Sequence, residues 1–472
     1  MKHSQRRSAP FSRSLSLCLG LSLSASIGCD KPNQGGRPVV TPSAYSFDSR
    51  FEEETSGVSY SGQVARHALL NALVTRIEGL SARLLAGELS PAEGQLVAEL
   101  ELFYDCADDL CVEEPHQLSL DRPFKQETLG AISSGKGLSE KVAGRDEVGQ
   151  RRDWSRGLIG WEGSLSPDEL VRSWFEQIEQ QAIAIAEGEP PLGPLGEALD
   201  RPELSPDGLQ LAELIEKLLF GALAYSQAAD DYLDDDLEGK GLLSDHLADD
   251  GGYTALEHAW DEGFGYFGAA RDMSLYSLEE LAGVGGRPEF QRAHDSDGDG
   301  LIDLKSEYNW SFARYAASRD LSGGSDFGAR VFEAFLKGRA LISAAEGPLS
   351  PTQLEELQGY RDEALEAWEG VIGASAVHYL NEVLTHHEEQ ATYDFASHAK
   401  HWSELKGFAL SLQFNPRSAF SDEDLERLHE AIGQRLTPPS EDGSAARVEA
   451  LLNARALIAA RLDFSEEQLE AW

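Results

Sequence analysis

Positive charge is scarce in this 472-residue chain. Its 40 lysine and arginine residues stand against 82 aspartate and glutamate residues, which gives a formal net charge of −42 at pH 7. A surface this acidic repels phosphate groups. Nucleic acid is therefore excluded as a partner.

Several common catalytic motifs are also absent. The sequence has no HExxH zinc-protease helix, no GxSxG nucleophile elbow and no phosphate-binding glycine loop followed by Lys and Ser or Thr. The glycine-rich stretch that begins at Gly283 lacks the strand before it and the helix after it that a nucleotide loop needs. A catalytic triad assembled from residues distant in the sequence stays open.

The N-terminal apolar run, Leu15–Ile27, is too short to span a bilayer as a stable helix. It follows a basic start and ends just before Cys29, as export signals do. The residues around Cys29 are similar to the lipobox at which bacterial lipoproteins are cut and acylated. We therefore expect a signal peptide over 1–28, a lipid on Cys29 that anchors the protein to a membrane, and a flexible tether over 29–44. Simple secretion is the alternative.

Two cysteines remain once Cys18 leaves with the signal and Cys29 carries lipid. They are Cys106 and Cys111, five positions apart. In an oxidising compartment this spacing favours a small local disulfide. A thiolate metal clip is the alternative, although no second cysteine pair or nearby histidine supports it.

The sequence lacks the alternation of apolar and polar residues that is typical of strands. After Tyr45, apolar residues return every three or four positions along most of the chain, which predicts an all-α fold. Leu-Ser-Pro occurs at Leu89, Leu165, Leu204 and Leu349, and predicts helix starts with Ser as the N-cap and Pro in the first turn.

A loop-rich segment with many Gly and Asp residues divides the predicted helices into two sets. From this spacing we expect two helical bundles in tandem, over 45–232 and 320–472. The connecting segment, 233–319, carries most of the unusual chemistry.

The stretch DSDGDGLIDLKSEY predicts a calcium loop. Alternating aspartates, a glycine at the sharp turn and a further aspartate at the ninth position bring together the oxygen atoms that a hard cation needs. The twelfth position holds Ser306 and not Glu, so a dockerin- or thrombospondin-like calcium loop fits better than a regulatory EF-hand. A solvated acidic loop is the alternative. The expected donors are Asp295, Asp297, Asp299, Asp303, Glu307 and the backbone carbonyl of Leu301.

The stretch YTALEHAWDEGFGYFG predicts one helix with several ionisable groups beside aromatic residues. His258 and Glu262 share one face of it, and Glu257 and Asp261 share the adjacent face. Such residues can supply metal ligands between packed helices, as in carboxylate-rich bundles. The alternative is that His258 and Asp261 form a satisfied buried pair.

Five of the twelve histidines fall between positions 378 and 401. Several of these, with neighbouring glutamates, recur at helical spacing, which favours metal ligation, whereas an exposed histidine stripe is the alternative. The histidines are His378, His386, His387, His398 and His401. The candidate transition-metal ligands over the whole chain are His258, Asp261, Glu262, His378, Glu382, His398, His401 and Glu404.

The chain resembles a family of exported bacterial lipoproteins catalogued as a domain of unknown function, family 4856. The phrases that carry the resemblance are YSFDSRF, VSYSGQVARH, DWSRGLIGW, YTALEHAWDEGFGYFGAARD, DSDGDGLIDLKSEYN and KHWSELKGFALSLQFNP. That family is in turn similar to the imelysins, helical two-bundle lipoproteins of the periplasm or cell surface associated with iron uptake and once assigned as metallopeptidases. The imelysin signature GxHAxE falls on LEHAWD, where Leu256 replaces the Gly and Asp261 replaces the Glu.

The resemblance implies a lipid-anchored binding protein of the cell envelope, linked to iron or another transition metal. Envelope transport proteins are then its expected partners. The enzyme alternative, an imelysin-like metallopeptidase, makes Glu262 a base for a metal-bound water. A third alternative is a structural or protein-interaction lipoprotein without a transition metal. The missing third protein ligand favours binding over catalysis.

Overall fold

The computed structural model describes residues 39–106, 109–118, 120, 122–145, 152–388 and 392–472. The expected signal peptide, the lipidation site at Cys29 and the first part of the tether lie outside these ranges. Within them, no helix is both long and apolar enough to cross a membrane.

The described residues form an all-α fold, as predicted, with isolated β-bridges in place of strands. Two π-helical turns, Phe220–Tyr225 and Ala228–Tyr232, follow α7. The α-helices are α1 (Ser61–Glu78), α2 (Leu80–Leu85), α3 (Gln95–Asp105), α4 (Asp109–Glu113), α5 (Leu129–Ile132), α6 (Pro167–Ala186), α7 (Leu211–Leu219), α8 (Ala255–Phe267), α9 (Leu278–Ala282), α10 (Ser311–Gly323), α11 (Phe327–Ala344), α12 (Pro351–Glu388), α13 (Phe395–Ser411), α14 (Asp422–Ile432), α15 (Ser444–Leu462) and α16 (Glu466–Ala471).

Two of the four Leu-Ser-Pro stretches begin helices. Ser166 caps α6 together with Glu169, and Ser350 and Gln353 exchange the same bonds at the start of α12. The prediction was wrong at Leu89 and Leu204, where the chain forms loops and the helices begin later.

Partners elsewhere in the chain explain the later start of α3. The carboxylate of Glu179, on α6, accepts hydrogen bonds from the backbone amides of Gly94, Leu96 and Val97. A carboxylate at this position satisfies the free N–H groups of the first turn and interacts favourably with the helix dipole. The N-terminus of α3 is therefore fixed by a tertiary contact.

One continuous hydrophobic core includes residues from the whole described chain. The long helix α12 packs between α11 and α13, and α13 also packs on α7. The backbone amide of Gln210 donates to Ser403 Oγ at 2.8 Å, and Ser411 Oγ donates to the carbonyl of Lys217 at 2.7 Å. Helices of the two expected bundles thus share an interface.

Helix α8 lies inside this core between α1 and α11. Its Trp260 is fully buried and donates from Nε1 to the carbonyl of Phe335 at 2.8 Å. Gly338 permits this approach, because a Cβ atom there would lie 2.0 Å from the Trp260 ring. Cys106 and Cys111, both buried, form a disulfide.

Candidate functional site

The carboxylate of Asp261 on α8 is fully buried and bound by protein groups. Its oxygens accept hydrogen bonds from Tyr45 Oη at 2.8 Å, from Arg339 Nε at 3.0 Å and from the backbone amide of Ser59 at 3.1 Å. Burial raises the pKa of Asp261, and the charge of Arg339 opposes that shift. Asp261 therefore acts as the counter-ion of a buried arginine.

Arg339, on α11, joins the two carboxylates of the same α8 face. Its Nη1 atom lies 3.0 Å from Glu257 Oε1, and its Nη2 atom donates to the carbonyl of Gly57 at 2.9 Å. Glu257 also caps α8 through the amide of Thr254. Asp261 is thus satisfied within the protein, but its partner is Arg339 and not His258, so the pair of His258 and Asp261 raised as the alternative does not form.

His258 and Glu262 lie on the other face of α8. His258 Nδ1 is 2.9 Å from the carbonyl of Ser59, and its Nε2 is 3.8 Å from Glu262 Oε1. Glu262 in turn accepts a hydrogen bond from Gln63 Nε2 at 2.7 Å. In the described ranges, neither residue belongs to a group of three close metal-ligating side chains. No hydrogen bond, ion pair or ring contact in this part of the chain joins either residue to the later histidines.

Four histidines meet where the end of α12 lies beside the start of α13. We call His386, His387, His398 and His401 the histidine cluster. His386 Nε2 lies 3.0 Å from His401 Nδ1. The His398 ring stacks on His386 with centroids 4.8 Å apart and meets the His387 ring edge-on at 5.3 Å.

His398 is the buried centre of the histidine cluster. Its Nδ1 lies 3.2 Å from Tyr393 Oη, whereas its buried Nε2 has no hydrogen-bond partner among the described residues. Burial, followed by the charges of the neighbouring imidazoles, lowers the pKa of His398 to about 2. The ring is therefore neutral at physiological pH, with a nitrogen whose hydrogen-bonding capacity is unused.

Glu382 adds a carboxylate beside the histidine cluster, since its Oε2 is 3.7 Å from His401 Nδ1. The other two ligand candidates of this region have separate partners. His378 Nδ1 lies 2.7 Å from the carbonyl of Trp472. Glu404 Oε1 lies 3.9 Å from Lys217, and burial together with Glu213 raises the pKa of Glu404 to about 8.

The predicted ligand set is therefore divided in space. His398, His401 and Glu382 come together with His386 and His387. These last two belong to the five histidines noted between positions 378 and 401, but they were not among the predicted ligands. The signal that could have selected them was positional: the two histidines end one helix shortly before the next helix begins.

The acidic loop has its aspartates gathered as predicted. Oxygens of Asp295, Asp297 and Asp299 all lie within 4.8 Å of one another. Gly300 adopts a φ of +89°, which favours glycine, and its amide donates to Asp295 Oδ2 at 2.8 Å. Lys125 Nζ lies 2.8 Å from both Asp297 and Asp299. Lys125, which the loop's sequence pattern does not indicate, thus neutralises part of the loop.

The remaining expected calcium ligands make hydrogen bonds within the loop and to the residues packed against it. Glu307 is buried and accepts from the amides of Ser296 and Asp303, each at 2.8 Å. Asp303 Oδ1 accepts from Gln126 Nε2 at 2.9 Å. The amide of Leu301 donates to Asp299 Oδ1 at 2.9 Å. These hydrogen bonds hold the loop in its conformation.

Residues 173–283 match the family model described as Domain of unknown function (DUF4856). This match agrees with the family predicted from the sequence. The matched segment contains α8, whereas the histidine cluster and the acidic loop follow it in the chain. A comparison with curated proteins gave no match, and neither did a comparison with solved structures.

Proposed function

We propose that this protein is an exported, lipid-anchored binding protein of the cell envelope that holds a transition-metal ion through the histidine cluster. The observation that carries the proposal is the pair of nitrogens on His386 and His401, 3.0 Å apart, beside the unpartnered Nε2 of His398. Nitrogens that share one tetrahedral zinc ion are about 3.3 Å apart, from bond lengths of about 2.0 Å.

The donor set fits a transition metal better than a hard cation. Neutral imidazoles suit zinc, copper, nickel and iron, whereas calcium and magnesium prefer oxygen atoms. Glu382 would add one carboxylate. The nitrogens of the three histidines do not all lie within 4.8 Å of one another. Binding therefore requires at least one imidazole ring to turn.

The geometry favours binding over peptide hydrolysis. A metallopeptidase needs a base near its metal, and the sequence offered Glu262 for that role. Glu262 lies on α8 and accepts from Gln63. Glu382, the carboxylate that contacts His401, is itself a candidate ligand.

Export and anchoring rest on the N-terminal pattern that ends at Cys29. The disulfide between Cys106 and Cys111 supports export, because disulfides persist in oxidising compartments. A lipid on Cys29 and a tether would hold the helical body near a membrane, within reach of envelope transport proteins. The acidic loop would hold calcium in a structural role.

The test is metal content of the full chain, purified in detergent without chelator and then offered zinc, copper, nickel or iron. The wild type should retain one equivalent of at least one of these metals. The double variant His386→Gln, His398→Gln should bind that metal about 100-fold more weakly, because two ligands are lost.

His258→Gln is the matched control, since it removes an imidazole from the α8 face and should leave metal binding unchanged. Circular dichroism should show that all variants keep their helices. Metal loss in His258→Gln with retention in the double variant would overturn the proposal. So would a wild type that binds none of the four metals.

A further inference from the structure

A cavity of about 310 Å³ lies between α1, α10 and α12. Helix α10 supplies one wall, because residues three and four apart lie on one helical face. Ser311, Arg314, Tyr315, Ser318 and Arg319 all line the cavity in this way. Its size is within the range of small-molecule sites.

Two arginines in this wall have no acidic partner. Arg319 is only 8% exposed, and its Nε and Nη1 atoms are buried without a hydrogen-bond acceptor. The Nε atom of Arg314 is also buried and also lacks a hydrogen-bond acceptor. Neither residue forms an ion pair within the described part of the chain. A buried donor without an acceptor is unfavourable, and more so when it carries charge.

These unpaired arginines contrast with the composition of the chain. Acidic residues outnumber basic ones by 82 to 40, so a carboxylate partner is easily supplied by the sequence. Arg339 and Arg417, for comparison, each contact two carboxylates. The cavity arginines therefore have N–H donors that no group in the described part of the chain accepts.

The other polar groups of the cavity do not neutralise the arginines. Glu216 lines the cavity but is paired with Lys217. His67 is held between the carbonyl of Gly265, at 3.1 Å, and Ser311 Oγ, at 2.9 Å. Burial lowers the pKa of His67 to about 4, so its ring is neutral. Among the side chains that line the cavity, the two arginines outnumber the one carboxylate, Glu216.

We propose that this cavity binds a small oxyanion, a carboxylate or a phosphate, through Arg314 and Arg319. A guanidinium group matches the oxygens of either anion with paired N–H donors, which gives strong and directional bonds. Tyr315, Ser318 and Tyr379 supply hydroxyl groups around the same space. This proposal is independent of the metal proposal.

Four probes separate the two sources of oxyanion: succinate and citrate for carboxylates, inorganic phosphate and glycerol 3-phosphate for phosphates. Isothermal titration of the full chain should detect at least one of them, with binding that weakens as ionic strength rises. Arg319→Gln and Arg314→Gln should each lower the affinity at least about tenfold, because each removes a charged donor.

The matched control is Arg330→Gln, which removes the same charge from an arginine paired with Glu363 and Glu366. It should leave anion binding unchanged. Arg319→Gln should not lower the melting temperature of the anion-free protein, since its guanidinium has no partner to lose. If Arg319→Gln fails to fold, Arg314→Gln still tests the site.

Three outcomes would overturn the proposal. One is that no probe binds to the wild type. Another is that the cavity variants and Arg330→Gln bind equally well. The third is that the anion-free Arg319→Gln and Arg314→Gln proteins both melt at a clearly lower temperature without any change in anion affinity, which would assign the arginines to the fold.

Discussion

The Nε atom of Arg339 lies 3.0 Å from Oδ1 of Asp261, and both side chains are completely buried. The pair joins α11 to α8 across the core and also engages Glu257. Such pairs are costly to break, because a charge without its partner remains in a medium of low polarity. The ionisable groups on this face of α8 thus serve the packing of the helix.

Asp261→Asn is expected to lower the free energy of unfolding by about 3–5 kcal/mol, since Arg339 loses its counter-ion while it stays buried. Urea unfolding followed by circular dichroism measures this change. Lys337→Met is the matched control on α11, because it breaks an exposed pair with Glu333 and should cost at most about 1 kcal/mol. The prediction would be contradicted if Asp261→Asn kept its stability but no longer retained metal. That result would identify α8 as a metal site.

In the acidic loop, Lys125 and a bound calcium ion would compete for the same aspartates. Lys125 Nζ is 2.8 Å from Asp297 and from Asp299, two of the expected ligands. Lys125→Met should therefore raise calcium affinity by about fivefold, because a charge a few Å away is worth about 1 kcal/mol in water. Asp297→Asn should lower it. Calcium titration calorimetry measures both changes.

Lys337→Met serves again as the control, now for the loss of one positive charge that is paired with Glu333 and not with the loop. It should leave calcium affinity as in the wild type. Absence of calcium binding in both the wild type and Lys125→Met would identify the loop as a lysine-bridged acidic turn, which is the solvated alternative raised by the sequence.

Local patterns in the sequence predicted the helices well. Periodicity and capping residues act within a few positions, so Ser166 and Ser350 could be identified as helix starts. The sequence did not reveal that Glu179 would cap α3 from another helix, which moved its start past Leu89. That contact depends on packing between distant segments.

The same distinction explains the candidate sites. The histidine cluster was detectable because its members lie on consecutive helices, α12 and α13, which are close in sequence and pack together. Arg339 and Lys125 were not detectable, since they lie far along the chain from Asp261 and Asp297. The cavity arginines were missed for a different reason: an unpaired charge is recognised only when all its neighbours are known.

Glu369, near the middle of α12, gives the protein a stability that depends on pH. Its carboxyl group is buried, contacts Ser418 Oγ and accepts from the amide of Ala419 at 3.0 Å. Burial raises the pKa of Glu369 to about 7 from an ordinary value of 4.5. Between these two values the folded state binds more protons than the unfolded state, so this residue's contribution to stability falls as pH rises through that window.

Glu369→Gln should remove this dependence, because a glutamine can mimic the protonated acid by donating to Ser418 Oγ while it accepts from Ala419. The variant should become more stable relative to the wild type as pH rises from about 5 to about 8, by up to about 3 kcal/mol for a shift of about 2.5 units. Urea unfolding over that range measures the difference. Glu363→Gln, at an exposed position on the same helix, should show no such trend. A difference between Glu369→Gln and wild type that stays constant with pH would mean that Glu369 is charged throughout the range and is stabilised by its two hydrogen bonds.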